Sequence, residues 1–131
     1  MAYNVLIVDD SPGMRKVLRR VLTLSSFDAG AFYEANDGRE ALDMLGRERV
    51  DVVLTDVDMP NMNGEELIEQ LSIDPIFSKI PVVVVSTDRS DDGLHRMLSL
   101  GAKGYVSRPF VPQTLGHQIN KLIGSEPYAS Q

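Results

Sequence analysis

Three features of this 131-residue chain predict an α/β fold, a doubly wound open sheet of five parallel strands. Short apolar runs alternate with longer stretches of helical period from one end to the other. Three of the runs are nearly continuous in valine, leucine and isoleucine, the pattern of central parallel strands covered on both faces. Helix-start signals recur between them, so the chain order is β-α repeated five times, which implies a parallel sheet with right-handed crossovers. At this length one good core is expected, and a second domain is not.

The runs are "NVLIV" (4–8), "AFYEA" (31–35), "VVLT" (52–55), "VVVVS" (82–86) and "GYVS" (104–107). Between them, Met14, Val17, Leu18, Val21 and Leu22 fall at helical spacing, as do Ala41, Leu42 and Leu45, then Leu67, Ile68 and Leu71. Leu94, Met97 and Leu98 continue the pattern, and Leu115, Ile119, Leu122 and Ile123 end it. Pro12 suits a first helical position. Asp37 with Glu40 and Asn63 with Glu66 have the form of capping boxes, and Ser90 precedes two acidic first-turn residues. A globular unit over 1–124 is expected, followed by a polar tail over 125–131 that frays.

A formal net charge of −6 argues against direct nucleic-acid binding, whose affinity comes from basic residues displacing counterions, and against anionic membranes. Without cysteine the chain can hold neither a disulfide nor a thiolate zinc site. The start "MAYNVLIVDD" lacks a basic segment followed by a signal-length apolar core, so a soluble, cytoplasmic protein is expected.

The segment "DVVLTDVDMP" (51–60) carries the chemistry. A buried strand stops on Asp56 and Asp58, and burying carboxylates is costly unless their charge is compensated. In a doubly wound sheet, ligands sit beyond the carboxyl ends of the strands. The first strand ends at Asp9 and Asp10, the third at Asp56, so these groups meet at one edge. Acidic side chains crowded there repel one another unless a cation sits among them, and an all-oxygen donor set favours a hard ion such as Mg²⁺.

"LIVDD" (6–10), "TDVDMPNMNG" (55–64), "PVVVVST" (81–87) and "GAKGYVSRPF" (101–110) resemble, in order and spacing, the motifs of the receiver domain of two-component response regulators. The resemblance spans nearly the whole chain and is nearest to single-domain receivers of the chemotaxis-regulator type, since no output domain follows Ile123. It implies a flavodoxin-like sheet of strand order 2-1-3-4-5. It also implies a switch that is not an enzyme, although it assists its own phosphorylation and dephosphorylation. Asp56 would be the phosphoacceptor, taking the group from a sensor histidine kinase or phosphotransfer protein. Asp10, the Asp56 carboxylate and the backbone carbonyl of Asp58 would ligate Mg²⁺, with Asp9 acting mainly through a bound water. Ser86 would reach the new phosphoryl group, and Arg108 stands where the family carries its active-site lysine. Tyr105 would swing inward with Ser86 and remodel the face of the fourth helix, fifth strand and fifth helix. That face would receive a downstream protein, or a second copy in a phosphorylation-dependent homodimer of an otherwise monomeric protein.

The chain departs from the family pattern at Arg108, at Thr87 in place of a small residue, and at Val111, where a capping side chain usually opens the last helix. With Gly116 inside that helix, it is expected to be the most labile element. The resemblance also implies a cis Arg108–Pro109 bond. His95 and His117 read as exposed helix residues, and Met59 and Met62 as loop packing. Two other readings stay open. "LTDVDMP" also resembles the opening of haloacid-dehalogenase-type phosphatases, with Asp56 as nucleophile and Asp58 as acid. The substitution at Arg108 admits a degenerate, phosphorylation-independent interaction module on the same fold.

Overall fold

Alternate residues of a strand face opposite sides, and in the central strands both sides are apolar, so these strands must be covered twice. The computed structural model, which describes residues 2–88, 90–108 and 111–124, does this with five strands and five helices. In order they are β1 (Tyr3–Val8), α1 (Pro12–Leu24), β2 (Ala29–Ala35), α2 (Gly38–Arg47), β3 (Val52–Thr55), α3 (Gly64–Ser72), β4 (Val82–Ser86), α4 (Asp91–Leu100), β5 (Gly104–Ser107) and α5 (Pro112–Ile119). The strands are parallel and ordered β2-β1-β3-β4-β5. Val5, Ile7, Val52, Leu54, Val83 and Val85 pack against Leu18 and Leu22 of α1 and Leu115 and Ile119 of α5. Leu6, Val8, Val53, Val82 and Val84 face the other way, toward Ala41 and Leu45 of α2, Leu67, Ile68 and Leu71 of α3, and Met97 of α4. Each fully buried aliphatic side chain contributes about 1.5–3 kcal/mol.

The three central and late runs (52–55, 82–86, 104–107) coincide with β3, β4 and β5. β2 begins at Ala29, two residues before the apolar run, because an edge strand needs less apolar sequence and its middle is exposed or half-buried. Val17 and Leu98 fall at helical spacing but lie on the flanks of their helices, 45% and 40% exposed. Asp37 caps α2 by accepting from the Glu40 backbone, yet the Glu40 carboxylate turns to the Asn36 backbone, so this is half a capping box; the Asn63–Glu66 box is complete. Ser11 and Ser90 cap α1 and α4. A 3-10 turn, Phe77–Lys79, was not legible as apolar pattern; the Asp74 carboxylate organises it by accepting from the Ile76 and Phe77 backbones.

Val111 gives α5 no side-chain cap, and Asn120–Gly124 widens into a π turn. Gly116 has a packing reason: a β-carbon there would sit 2.5 Å from Ser25 Oγ. Among the described residues no helix is long and apolar enough to cross a membrane. The side chain of Ile123 and the tail 125–131 lie outside the described residues, as does Pro109 and with it the expected cis bond.

Candidate phosphoacceptor and metal site

The strand register carries the site residues to one edge. Val8 pairs with Ala35 on one side and Thr55 on the other, Thr55 with Val84, and Ser86 with Ser107. The ladder then runs one residue further: Asp9 N–H donates to Ala35 O (3.1 Å), Asp56 N–H to Val8 O (2.9 Å) and Arg108 N–H to Ser86 O (2.8 Å). Asp9, Asp56 and Arg108 are therefore each rooted in sheet hydrogen bonding, which limits how far their side chains can wander. Gly64, at the start of α3, lies so close to the Asp56 carbonyl that no β-carbon fits, and its N–H donates to Val57 O at 2.8 Å. That contact folds the loop 57–63 tightly behind Asp56.

Asp9, Asp10 and Asp56 each offer a carboxylate oxygen, and the three atoms lie within 4.8 Å of one another. Asp9 is buried, Asp56 half-buried and Asp10 exposed, so the cluster opens to solvent on one side. Asp9 Oδ1 accepts from the Ser11 backbone (2.9 Å) and Asp56 Oδ1 from the Val57 backbone (2.8 Å). Burial is the main force raising both acids above the ordinary carboxylate range; the Ser11 and Val57 hydrogen bonds and Arg108 oppose it, while Asp10 adds repulsion at Asp9, and Asp9 and Asp58 add it at Asp56. A purely oxygen donor set whose anionic forms are disfavoured by desolvation and mutual repulsion fits a hard divalent cation such as Mg²⁺.

Arg108 Nη2 lies 3.2 Å from Asp9 Oδ2, 3.5 Å from Asp56 Oδ1 and 3.3 Å from Val85 O. The guanidinium thus reaches the acidic centre from the residue just past β5. The Asp58 carboxylate is exposed and not in the cluster. Ser86 is buried, and its Oγ accepts from Asp88 N–H (3.1 Å). Tyr105, half-buried against the α2–α4 side of the core, donates its hydroxyl to Asp88 O (2.7 Å). Both residues of the expected switch thus hold the backbone of Asp88, a link with no trace in the sequence. Thr87 is exposed, His95 and His117 are exposed, and Met59 and Met62 pack against the core.

Arg15 was also missed. Its side chain, 12% exposed, donates from Nε to Glu34 (2.8 Å) and from Nη1 to the Asp9 carbonyl (2.6 Å), fixing the backbone of the acidic pair from behind. The only available signal was a basic residue one helical turn after the cap.

The model of the response regulator receiver domain family matches residues 5–120. A chemotaxis protein CheY homolog of Campylobacter jejuni is 34% identical over 123 residues, covering 93% of each chain. The chemotaxis protein CheY of Pseudomonas aeruginosa is 35% identical over 120 residues, covering 92% of this chain and 95% of its own. Among solved structures, the chemotaxis response regulator CheY4 of Vibrio cholerae superimposes with a TM-score of 0.83 at 29% identity, over 94% of this chain and all of the other.

Proposed function

The chain belongs to the response regulator receiver domain family, and from that premise we propose that it is a phosphorylation-operated switch whose phosphoacceptor is Asp56. The observation that carries this reading is the Asp56 carboxylate at an open sheet edge, with oxygens of Asp9 and Asp10 within 4.8 Å and the Arg108 guanidinium 3.5 Å away. The Asp56 oxygen not committed to the Val57 backbone attacks the phosphorus of a phosphohistidine on a sensor histidine kinase or phosphotransfer protein. The P–N bond breaks as the O–P bond forms, giving an acyl phosphate and returning the histidine. Asp9, Asp10, Asp56 and the backbone carbonyl of Asp58 would hold Mg²⁺, Asp9 mainly through water. The ion would neutralise charge on the transferring phosphoryl oxygens. Arg108 adds a fixed positive charge on the same side.

An acyl phosphate brings close to two negative charges at neutral pH. Ser86 Oγ leaves its bond to Asp88 to meet them. Because Tyr105 holds the carbonyl of that same residue, the loop between β4 and α4 moves with it and alters the face of α4, β5 and α5. A downstream protein, or a second copy of this chain, reads the new face. The protein acts by binding rather than turnover, with no role for direct contact with nucleic acid or membrane, in the cytoplasm.

Amide exchange with and without a phosphoryl mimic tests the output half of this reading. Altered protection in residues 86–88, α4 and β5 is expected. Unchanged protection there, with partner binding intact in Asp56→Ala, would favour the phosphorylation-independent module. The receiver match over 5–120 favours the switch over the phosphatase resemblance.

A further inference from the structure

The acidic site is assembled from two separate loops, 9–11 after β1 and 57–63 after β3, and the sheet ladder that aligns their roots stops where they begin. The ladder fixes Asp9 and Asp56 at their backbones, but the residues beyond them, Asp10 and 57–63, need contacts of their own to hold their spacing. Asp37 is 4% exposed and, among the described residues, lies outside the metal-capable cluster; capping α2 occupies its Oδ1, and its Oδ2 needs a partner of its own.

The contacts of Asp37 and its neighbour Asn36 supply one. Arg15 Nη1, which donates to the Asp9 carbonyl at 2.6 Å, also donates to Asn36 Oδ1 at 2.8 Å. On the other side, Asn61 Nδ2 donates to Asp37 Oδ2 at 2.7 Å. Asn61 is a non-glycine residue at φ 65°, a conformation that persists when its surroundings impose it. A second strut lies beside it: Gly38 N–H donates to Met62 O at 2.9 Å, and a β-carbon at Gly38 would meet Met62 Cγ at 2.7 Å. The turn is itself locked. Asn36 donates its backbone N–H (2.9 Å) and its Nδ2 (3.1 Å) to Glu40 Oε1, and Glu40 N–H donates to Asp37 Oδ1 at 2.9 Å. Two consecutive residues thus grip the two halves of the site, one from each side.

We propose that the turn Asn36–Asp37 between β2 and α2 is a brace that sets the spacing between the Asp9–Asp10 and Asp56–Asp58 halves of the site, with Asp37, Asn36 and Asn61 as positioning residues that touch neither metal nor phosphoryl group. The inference rests on the reading of those carboxylates as a Mg²⁺ and phosphoryl site. Asp37 is held ionised chiefly by the Asn61 hydrogen bond, aided by backbone donors at the start of α2, so the strut stays charge-assisted at neutral pH. Outer partners that orient metal ligands typically change affinity about 10–100-fold when lost.

Asn61→Gly is the discriminating variant, because glycine accepts the left-handed backbone and removes only the bond to Asp37. Mg²⁺ titration followed by amide chemical shifts should show affinity reduced about 10-fold in a protein that still melts cooperatively, its Tm lowered only by the loss of one partner of the buried Asp37 carboxylate. In the metal-free protein, amides of residues 57–63 should exchange faster. The swap Asp37→Asn with Asn61→Asp restores the cap and the hydrogen bond in reverse, and should recover most of the affinity. Wild-type affinity in Asn61→Gly overturns the brace. A swap no better than Asn61→Asp alone also overturns it. If wild type and Asp10→Ala respond to Mg²⁺ alike, the reading of the site itself has failed, and the brace falls with it.

Discussion

Arg108→Met removes a guanidinium nitrogen that stands 3.2 Å from Asp9 and 3.5 Å from Asp56. At an effective dielectric constant of about 20, each of those separations is worth roughly 5 kcal/mol of Coulomb attraction. Most of that is offset by the desolvation of the groups. The Arg108 and Asp56 side chains retain 19% exposure, which places the pair between exposed pairs at ~0–1 kcal/mol and severed buried pairs at ~3–5 kcal/mol. A loss of about 2 kcal/mol follows, or a Tm lower by about 6–10 °C for a domain of this size, when melting is followed in EDTA. Mg²⁺ bound among the same carboxylates replaces the missing charge, so the gap between variant and wild type should narrow as the metal concentration rises. A gap that is the same in EDTA and in saturating Mg²⁺ would refute charge compensation as the role of Arg108. Arg108→Lys keeps the charge on a compact head. It should change the labelling rate of Asp56 modestly and enlarge the phosphoryl-dependent change around Tyr105; an unchanged Tyr105 response would show that the planar fork does not weaken the coupling.

Two substitutions separate glycines that fill space from glycines that only cost entropy. Gly46→Ala in α2 meets nothing within 4 Å and should stabilise by about 0.5–1 kcal/mol. Gly116→Ala should gain as much in helix propensity yet lose about 1–3 kcal/mol to overpacking against Ser25, whose Oγ is committed to Leu22 O and Phe27 N–H, so its Tm should fall. A rise in Tm for Gly116→Ala would show that α5 has room to shift. Acid titration addresses Asp37: because its carboxyl is held below the ordinary value of 3.8, its contribution is complete above that value and is lost as pH falls through the lower folded value. The stability gap between wild type and Asp37→Asn should therefore shrink below pH ~4 in denaturant titrations, and a gap that widens there would reverse the sign of the argument.

Legibility in the sequence followed burial. β3 and β4, covered on both faces, each carry four apolar or β-branched residues in a row and could be bounded to the residue. β2, an edge strand with exposed middle positions, could not. Asp9, Asp10 and Asp56 were legible because strand ends converge in this fold class, so acids just past two apolar runs had to meet. Arg15, Asn36, Asp37, Asn61 and Asp88 were not, because their roles are polar bonds between loops that only the finished fold brings together. Asp37 was legible as a helix cap but not as a support for the loop behind Asp56. Gly116 read as a local weakness, whereas its packing against Ser25 is a tertiary constraint invisible to helix propensity.

Every step of the proposed switch begins with a phosphoryl group on Asp56, which intact-mass measurement after incubation with a small phosphodonor would detect. Wild type in Mg²⁺ should gain the mass of one phosphoryl group, removable at high pH as acyl phosphates are, and should gain far less in EDTA. Asp56→Asn should gain none under either condition. Full labelling of Asp56→Asn would place the nucleophile on another residue.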